Sequence, residues 1–198
     1  MKFRLLLILS LYCAAPLWAQ KNDTEALRNH RRQYIADLFP IIKKDTTYIT
    51  FFPANPKMIV EAEVQLLPGE KPFKMVTSSG KSKEAQKYAL LRFTLNGKKY
   101  QLYTYQLLQL KEKAETANEL FLPFVDLTCG KESYGGGRYI DLQLTDIRNG
   151  KVKIDFNKAY NPYCAFTTGY NCPVPPRENA LPVAIKAGEK YRKDKFKH

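Results

Sequence analysis

The sequence contains very little histidine, and this scarcity narrows the chemistry open to the protein. The two histidines are His30, near the start of the chain, and His198, its last residue. A serine or cysteine nucleophile activated by histidine is therefore hard to build in the rest of the chain. Zinc catalysis is also disfavoured, because a metal would depend on cysteine and carboxylate ligands. We predict no metal site and no cofactor.

Long apolar segments are scarce as well. Only the run from Leu5 to Ala15 stands out, and it falls short of the ~20 residues that a membrane-spanning helix needs. It follows Lys2 and Arg4 and precedes Trp18-Ala19-Gln20, which is the residue order of a secretory signal peptide. We expect cleavage near Ala19 and export to the periplasm or the extracellular space.

Cysteine is infrequent, and its positions suggest different roles. A lipid anchor at Cys13 is disfavoured, because the bulky Tyr12 stands where a small residue normally precedes a lipidated cysteine. Cys164 and Cys172 are close enough in sequence to form a disulfide in an oxidising compartment, with a stabilisation of about 2.5 kcal/mol. Cys129 is left over. Such a thiol can be buried and inert, can pair with another chain, or can react.

Acidic residues are outnumbered by basic ones. The formal charge is +13, and it falls to +11 when the signal segment with Lys2 and Arg4 is removed. In an exported protein this excess favours anionic envelope polymers or lipid headgroups over nucleic acid as partners. We predict no nucleic-acid partner and keep a peripheral contact with the envelope surface as an alternative. The densest basic cluster, residues 190–198, is expected to be a solvated, mobile tail.

The 179 residues that follow the signal segment fit a single domain. We divide them into a helix with its connection (20–45), a β domain (46–189) and the basic tail (190–198). Asp23 and Thr24 offer oxygens for a helix N-cap, and Pro40 is expected to end the helix. Apolar residues between these points recur near helical spacing and predict one amphipathic helix: Leu27, Tyr34, Ile35 and Leu38.

From Thr46 onward the apolar pattern changes to a period of two, which indicates strands. Ile59 to Leu66 alternates as a half-buried strand requires, and Phe73 to Thr77 is a shorter one. Asn96-Gly97 and Asn149-Gly150 each predict a hairpin, because this dipeptide tolerates positive φ angles. The first hairpin joins the strand with Leu91, Phe93 and Leu95 to that with Tyr100, Leu102 and Thr104. The second joins the strand with Ile140, Leu142 and Leu144 to that with Val152, Ile154 and Phe156.

Proline becomes frequent after Phe156, so the ladder is expected to give way to an irregular segment around the sheet edge. The prolines are Pro162, Pro173, Pro175, Pro176 and Pro182. Together these patterns predict a mainly β fold of seven or eight strands. The fold would be an antiparallel sandwich or a partly closed barrel, with one N-terminal amphipathic helix and a Pro-rich C-terminal wrap.

The segment from Phe124 to Asp141 contains the first group of candidate site residues. Three successive glycines, Gly135 to Gly137, let a backbone approach a ligand closely, and Arg138 can hold a carboxylate or phosphate with two hydrogen bonds. The alternative is a glycine-rich connection between strands, with Arg138 paired to a carboxylate of the chain: Asp126, Glu132 or Asp141. A phosphate loop is disfavoured, because no lysine-serine pair ends the glycines.

The segment from Asp155 to Pro182 contains the second group. Asparagines, tyrosines and cysteines crowd into a loop that is stiffened by prolines. Such a loop can form the wall of a pocket, or its side chains can bond to its own backbone.

Motifs in these two segments resemble a known family. They are Phe124-Val125-Asp126-Leu127-Thr128 with Gly130, Tyr134 to Tyr139, Asp155-Phe156-Asn157, Tyr160 to Ala165, and Cys172-Pro173 through Ala187-Gly188-Glu189. They resemble the bacterial and archaeal proteins catalogued as domain of unknown function 1684, with a likeness that runs from about Phe51 to Glu189. The family pattern has a serine where this chain has Cys129, so this cysteine looks incidental. The resemblance implies no established activity.

The hypothesis we favour is an exported binding module for a small polar or anionic ligand. Arg138 would fix charge, Asn157 and Asn161 would form hydrogen bonds, and tyrosines would supply flat apolar walls. The candidate ligand-binding residues are Asp126, Tyr134, Gly135, Gly136, Gly137, Arg138, Tyr139, Asp141, Asn157, Tyr160 and Asn161.

Two alternatives remain open. One is a hydrolase that uses a pair of carboxylates and acts on an envelope or imported substrate. Its candidate residues are Asp126, Glu132, Asp141 and Asp155. The other is a non-catalytic structural or accessory protein of the envelope. The scarcity of histidine favours a protein that is not an enzyme.

Overall fold

The computed structural model describes residues 15–43 and 46–196, and the side chains from residue 24 onward. The predicted signal peptide, residues 1–19, lies for the most part outside the described residues. Among the helices of the described ranges, none is both long and apolar enough to span a membrane.

The predicted N-terminal helix is present and is longer than expected. Helix α1 runs from Ala15 to Ile42, so it begins before Asp23 and continues past Pro40. Packing explains why Pro40 does not end it, because Ile42 is buried together with Leu38 against the C-terminal part of the chain. Tertiary burial of an apolar stripe outweighs the local penalty of a proline in the last turn.

Seven strands of the described chain form one antiparallel sheet, so the prediction of a mainly β fold is confirmed. The strands are β1 (Ile59–Leu66), β2 (Phe73–Val76), β3 (Ser82–Leu95), β4 (Lys98–Leu107), β5 (Glu119–Phe124), β6 (Arg138–Gln143) and β7 (Lys151–Asp155). Their order is β6-β5-β4-β3-β1-β7, and β2 pairs with β3 outside this path. The sheet curls into a half-barrel. A short helix, α2 (Leu108–Lys111), follows β4.

The first Asn-Gly hairpin is confirmed. Asn96 and Gly97 have φ angles of 50° and 76°, and they connect β3 to β4 with Leu95 opposite Lys98. The predicted strands also hold: Ala62 lies opposite Phe93 in the pairing of β1 with β3.

The second Asn-Gly prediction is wrong about the strands it joins. Asn149 and Gly150 do adopt positive φ angles of 51° and 71°. However, β6 ends at Gln143, a 3-10 turn (Leu144–Asp146) follows, and β6 and β7 lie at opposite ends of the sheet. Asp146 caps this turn by accepting a hydrogen bond from the Gln143 N–H at 2.8 Å, and β7 pairs with β1 instead. We call the gap between β6 and β7 the seam.

The described chain after Phe156, up to residue 196, contains no strand and wraps the sheet, as the prolines indicated. Single backbone bridges fasten it at four places: Tyr160 to Tyr139, Pro173 to Thr77, Ala180 to Val125, and Glu189 to Phe51. The predicted disulfide is present, with Cys164 and Cys172 sulfurs 2.16 Å apart.

The described part of the basic tail is anchored at two aromatic residues, while residues 192–195 between them are exposed. Phe196 is 3% exposed and packs with Phe166 and the end of α1. The Tyr191 hydroxyl donates to the carbonyl oxygens of Ala165 and Phe196, at 2.8 and 2.9 Å. Two aromatic residues among the lysines therefore anchor the segment by burying apolar area.

Candidate functional site

Arg138, the residue expected to fix a ligand's charge, is fully buried at the start of β6. One terminal nitrogen, Nη2, donates to Asp126 Oδ1 at 3.0 Å and to the Ile185 carbonyl at 2.8 Å. The other, Nη1, donates to the carbonyls of Ala187 and Glu189. The guanidinium thus fastens the C-terminal wrap to the loop after β5.

Both carboxylate oxygens of Asp126 accept hydrogen bonds within the same network. Its Oδ2 accepts from the Ile185 N–H at 2.7 Å and from the Thr128 N–H at 3.1 Å. Its Oδ1 accepts from the Thr128 hydroxyl as well as from Arg138. Of the three carboxylates considered as partners, Asp126 is the one that Arg138 bonds. The pair has a structural role here, and its part in ligand binding stays a prediction.

Contacts within the protein also account for two of the three glycines. Gly137 has a φ of +91°, and a Cβ there would lie 2.7 Å from both the Phe124 carbonyl oxygen and Pro175 Cγ. A Cβ on Gly136 would lie 2.5 Å from the ring of Tyr134. These positions need glycine because the chain itself packs closely against them.

Tyr134, Gly135 and Gly136 nevertheless meet at a surface depression, which we call the glycine-loop cleft. Its volume is about 600 Å³, and the C-terminal tail closes one side of it. The residues that line it are Gly130, Lys131, Ser133, Tyr134, Gly135, Gly136, Tyr191, Lys193 and Phe196.

A larger depression, which we call the seam cleft, lies along the seam and beside α1. Its volume is about 760 Å³. Apolar side chains line part of it: Leu27, Ile59, Ile140 and Leu142. Charged side chains of both signs line the rest: Arg148, Lys153, Lys158, Asp141, Asp146 and Asp155. Two predicted site residues, Asp141 and Asn157, belong to this cleft.

The charges of the seam cleft are not paired with one another. Within the described ranges, Arg148, Lys153 and Lys158 form no ion pair. The carboxylates are instead bonded by neutral donors. Asp146 accepts from a backbone N–H, and Asp155 accepts from the Asn157 N–H and amide group at 3.0 and 2.9 Å. Three cations are therefore left to face the cleft without a carboxylate partner.

Asp141 has the most unusual setting in the cleft. The Tyr160 hydroxyl lies 2.8 and 2.9 Å from its two oxygens. Desolvation of the carboxyl group raises the pKa of Asp141. The negative charge of Glu119 adds to this rise, and the hydrogen bond from Tyr160 opposes it. The residue is exposed and lines the cleft. A carboxyl group with a raised pKa in a cleft is typical of functional sites.

Asn157 holds the backbone in place beside the cleft, whereas Asn161, which does not line the cleft, bonds to Glu189 and Lys190. Asn157 is buried, accepts from the Asn55 N–H at 2.8 Å and donates to the Asn55 carbonyl at 2.9 Å. Asn161 donates its N–H to Glu189 Oε2 at 2.7 Å and its amide to the Lys190 carbonyl at 3.0 Å. Tyr139 pairs with Tyr160 through the backbone and through an edge-on ring contact at 5.8 Å.

Glu189 is a buried carboxyl that the sequence reading missed. Tyr34 of α1 donates to its Oε2 at 2.9 Å, while its Oε1 has no partner in the described part of the chain. Burial raises the pKa of Glu189 to about 8. Its place in the family-like motif Ala187-Gly188-Glu189 was the one local signal, and only the fold brings Tyr34 and Asn161 to it.

Cys129 and Glu132 line neither cleft. Cys129 is half-buried, and burial raises the pKa of its thiol, which disfavours the reactive thiolate. Glu132 pairs with Lys186 at 3.2 Å near the surface. The described side chains include no group of three or more potential metal ligands of the histidine, cysteine and carboxylate types.

Comparisons with known proteins place the chain among its relatives. It is similar to the solution NMR structure of the uncharacterized protein from gene locus rrnAC0354 of Haloarcula marismortui, with a TM-score of 0.65 and 29% identity. That match covers 89% of this chain and 99% of the other. No curated protein matches. A family model matches residues 44–190, and the chain therefore belongs to the family described as protein of unknown function DUF1684.

Proposed function

We propose that the protein is an exported binding module and that the seam cleft is its binding site. The ligand would be small and polar and would carry an anionic group. One observation supports this most: Arg148, Lys153 and Lys158 surround a cleft of about 760 Å³ and form no ion pair within the described chain.

The chemistry of the cleft suits such a ligand. Arg148 can bond a carboxylate or phosphate through two parallel hydrogen bonds, and the lysines can add charge. The apolar part of the wall, with the half-buried Ile59, can cover the rest of a small molecule. Asp141 accepts hydrogen bonds when ionised and donates one when protonated. Its raised pKa brings both forms closer to neutral pH.

Export is supported by two features of the chain. The first residues have the order of a signal peptide. The structure also contains a Cys164–Cys172 disulfide, a bond that persists in oxidising compartments and is rare in the cytosol.

A thermal-shift screen of the purified protein tests the binding proposal. The compounds would be sugars, nucleotides, organic acids, lipids and divalent metals. We expect an organic acid or a phosphate compound to stabilise the protein by about 2.7 kcal/mol at a hundred times its dissociation constant. Backbone NMR shifts should then map to residues 140–142 and 153–158. A screen without stabilising anions, or shifts confined to another surface, would refute the proposal.

A carboxylate hydrolase is the second candidate, and one observation favours it. Asp141, with its raised pKa, and Asp155 line the same cleft, as an acid and a second carboxylate would. If this is the activity, Asp141→Asn should reduce the hydrolysis of chromogenic glycosides at least about a hundredfold. Asp146→Asn is the matched control in the same cleft. Equal rates in the two variants and the wild type would exclude Asp141 as the acid.

A further inference from the structure

The glycine-loop cleft has a different chemistry from the seam cleft and shares no lining residue with it. Its charged lining consists of two lysines, and the rest of its surface is glycine backbone, a serine and aromatic rings. We propose that it is a second binding site, which takes a sugar carrying a phosphate or carboxylate group. This site is independent of the function proposed above.

Backbone N–H groups without an acceptor in the described chain belong to glycines that line the cleft. Tyr134 to Gly137 form a turn closed by the hydrogen bond from the Gly137 N–H to the Tyr134 carbonyl at 3.2 Å. Gly135 and Gly136, the central residues of this turn, are exposed. Their N–H groups donate to no acceptor within the described residues. Successive free N–H groups without side chains form a concave surface that suits an anion.

Two ammonium groups reinforce this preference. Lys131 and Lys193 are exposed, line the cleft, and form no ion pair within the described chain. The acidic residues next to them in sequence are already engaged. Glu132 pairs with Lys186 at 3.2 Å, and Asp194 pairs with Arg192 at 2.9 Å. An anion in the cleft would therefore meet two available positive charges and no lining carboxylate.

The aromatic lining adds a preference for a ring. Tyr134 and Tyr191 meet edge to face with ring centroids 5.2 Å apart. Tyr191 is held in place because its hydroxyl donates to the carbonyls of Ala165 and Phe196, so little conformational freedom is lost on binding. The apolar face of a tyrosine ring can cover the C–H groups of a sugar ring. An anion next to such rings points to an acidic sugar rather than to free phosphate.

NMR titration of the full protein tests this proposal with three probes: glucose 6-phosphate, inorganic phosphate and glucose. Glucose 6-phosphate should bind saturably and shift the amides of residues 130–136 and 191–196. Its dissociation constant should rise about tenfold in Lys131→Gln/Lys193→Gln, because two charged contacts are lost. The control Lys74→Gln/Lys98→Gln removes two exposed lysines elsewhere and should leave the constant unchanged.

The following outcomes would overturn the proposal or a part of it. Unsaturable binding at millimolar concentrations, or equal affinity in the two double variants, would remove the site. Shifts in residues 140–142 and 153–158 would assign the sugar phosphate to the seam cleft instead. If inorganic phosphate binds as tightly as glucose 6-phosphate, the preference for a sugar is wrong.

Discussion

Two charged regions of this molecule differ in how their charges are compensated. Arg138 and Asp126 are fully buried and bonded to each other at 3.0 Å. Arg148, Lys153 and Lys158 are exposed at the seam cleft and pair with no carboxylate of the described chain. The buried pair uses its charge to hold the fold together, whereas the cleft residues keep theirs available. An arginine beside glycines is thus a poor guide to binding unless its partners are known.

The largest effect should follow from breaking the buried pair. Arg138→Met leaves Asp126 buried without its cation and frees the carbonyls of the C-terminal wrap, so we expect a loss of about 3–5 kcal/mol of unfolding free energy. Urea denaturation measures this loss, provided that the slope of the unfolding free energy against urea concentration is the same in the variant and the wild type. Arg148→Met is the matched control and should change stability by no more than about 0.5 kcal/mol. Similar losses in both variants would contradict the contrast between the two regions.

A smaller loss of unfolding free energy should follow from adding a methyl group at Gly137, where the surrounding atoms leave no room for one. Gly137→Ala combines an unfavourable φ of +91° with a Cβ 2.7 Å from the Phe124 carbonyl oxygen, so we expect a loss of about 3 kcal/mol. Gly69→Ala is the control, because Gly69 has a similar φ of +88° and no atom within 4 Å of the new Cβ. It should lose only about 1 kcal/mol. Equal losses would mean that the backbone angle alone, and not close packing, requires glycine at position 137.

The unfolding free energy should depend on pH because of Glu189. Its pKa rises from an ordinary 4.5 to about 8 because it is buried. A carboxyl with a raised pKa stabilises the fold fully below pH 4.5, and this contribution is lost as pH rises through about 8. Glu189→Gln imitates the protonated form and should remove most of the decline between these pH values, measured by urea denaturation at each pH. An unchanged decline in the variant would show that other groups cause it.

Much of the fold follows from the sequence because its signals are local. The alternation in Ile59–Leu66 and the Asn96-Gly97 turn depend on neighbouring residues, and both proved right. The Asn149-Gly150 turn also formed, but local sequence does not encode which strands pair. The competing signal was the 3-10 turn at Leu144–Asp146, which separates β6 from β7 and opens the seam.

The site was harder to predict, because it depends on contacts between residues that are far apart in sequence. Local sequence offered three carboxylates for Arg138, and only the fold brings Asp126 to it. The cations of the seam cleft were missed because exposed lysines and arginines on strands and turns are ordinary in sequence. Their significance comes from the gap between two sheet ends that the chain order does not reveal.

A paired measurement on Arg148→Gln/Lys153→Gln tests most directly whether the seam cleft is the binding site. Its unfolding free energy should stay within about 1 kcal/mol of the wild type, because both side chains are exposed and in no described ion pair. Its dissociation constant for an anionic ligand found in the screen should rise about tenfold or more. An unchanged dissociation constant in a stable variant would contradict the claim that the seam cleft is the binding site.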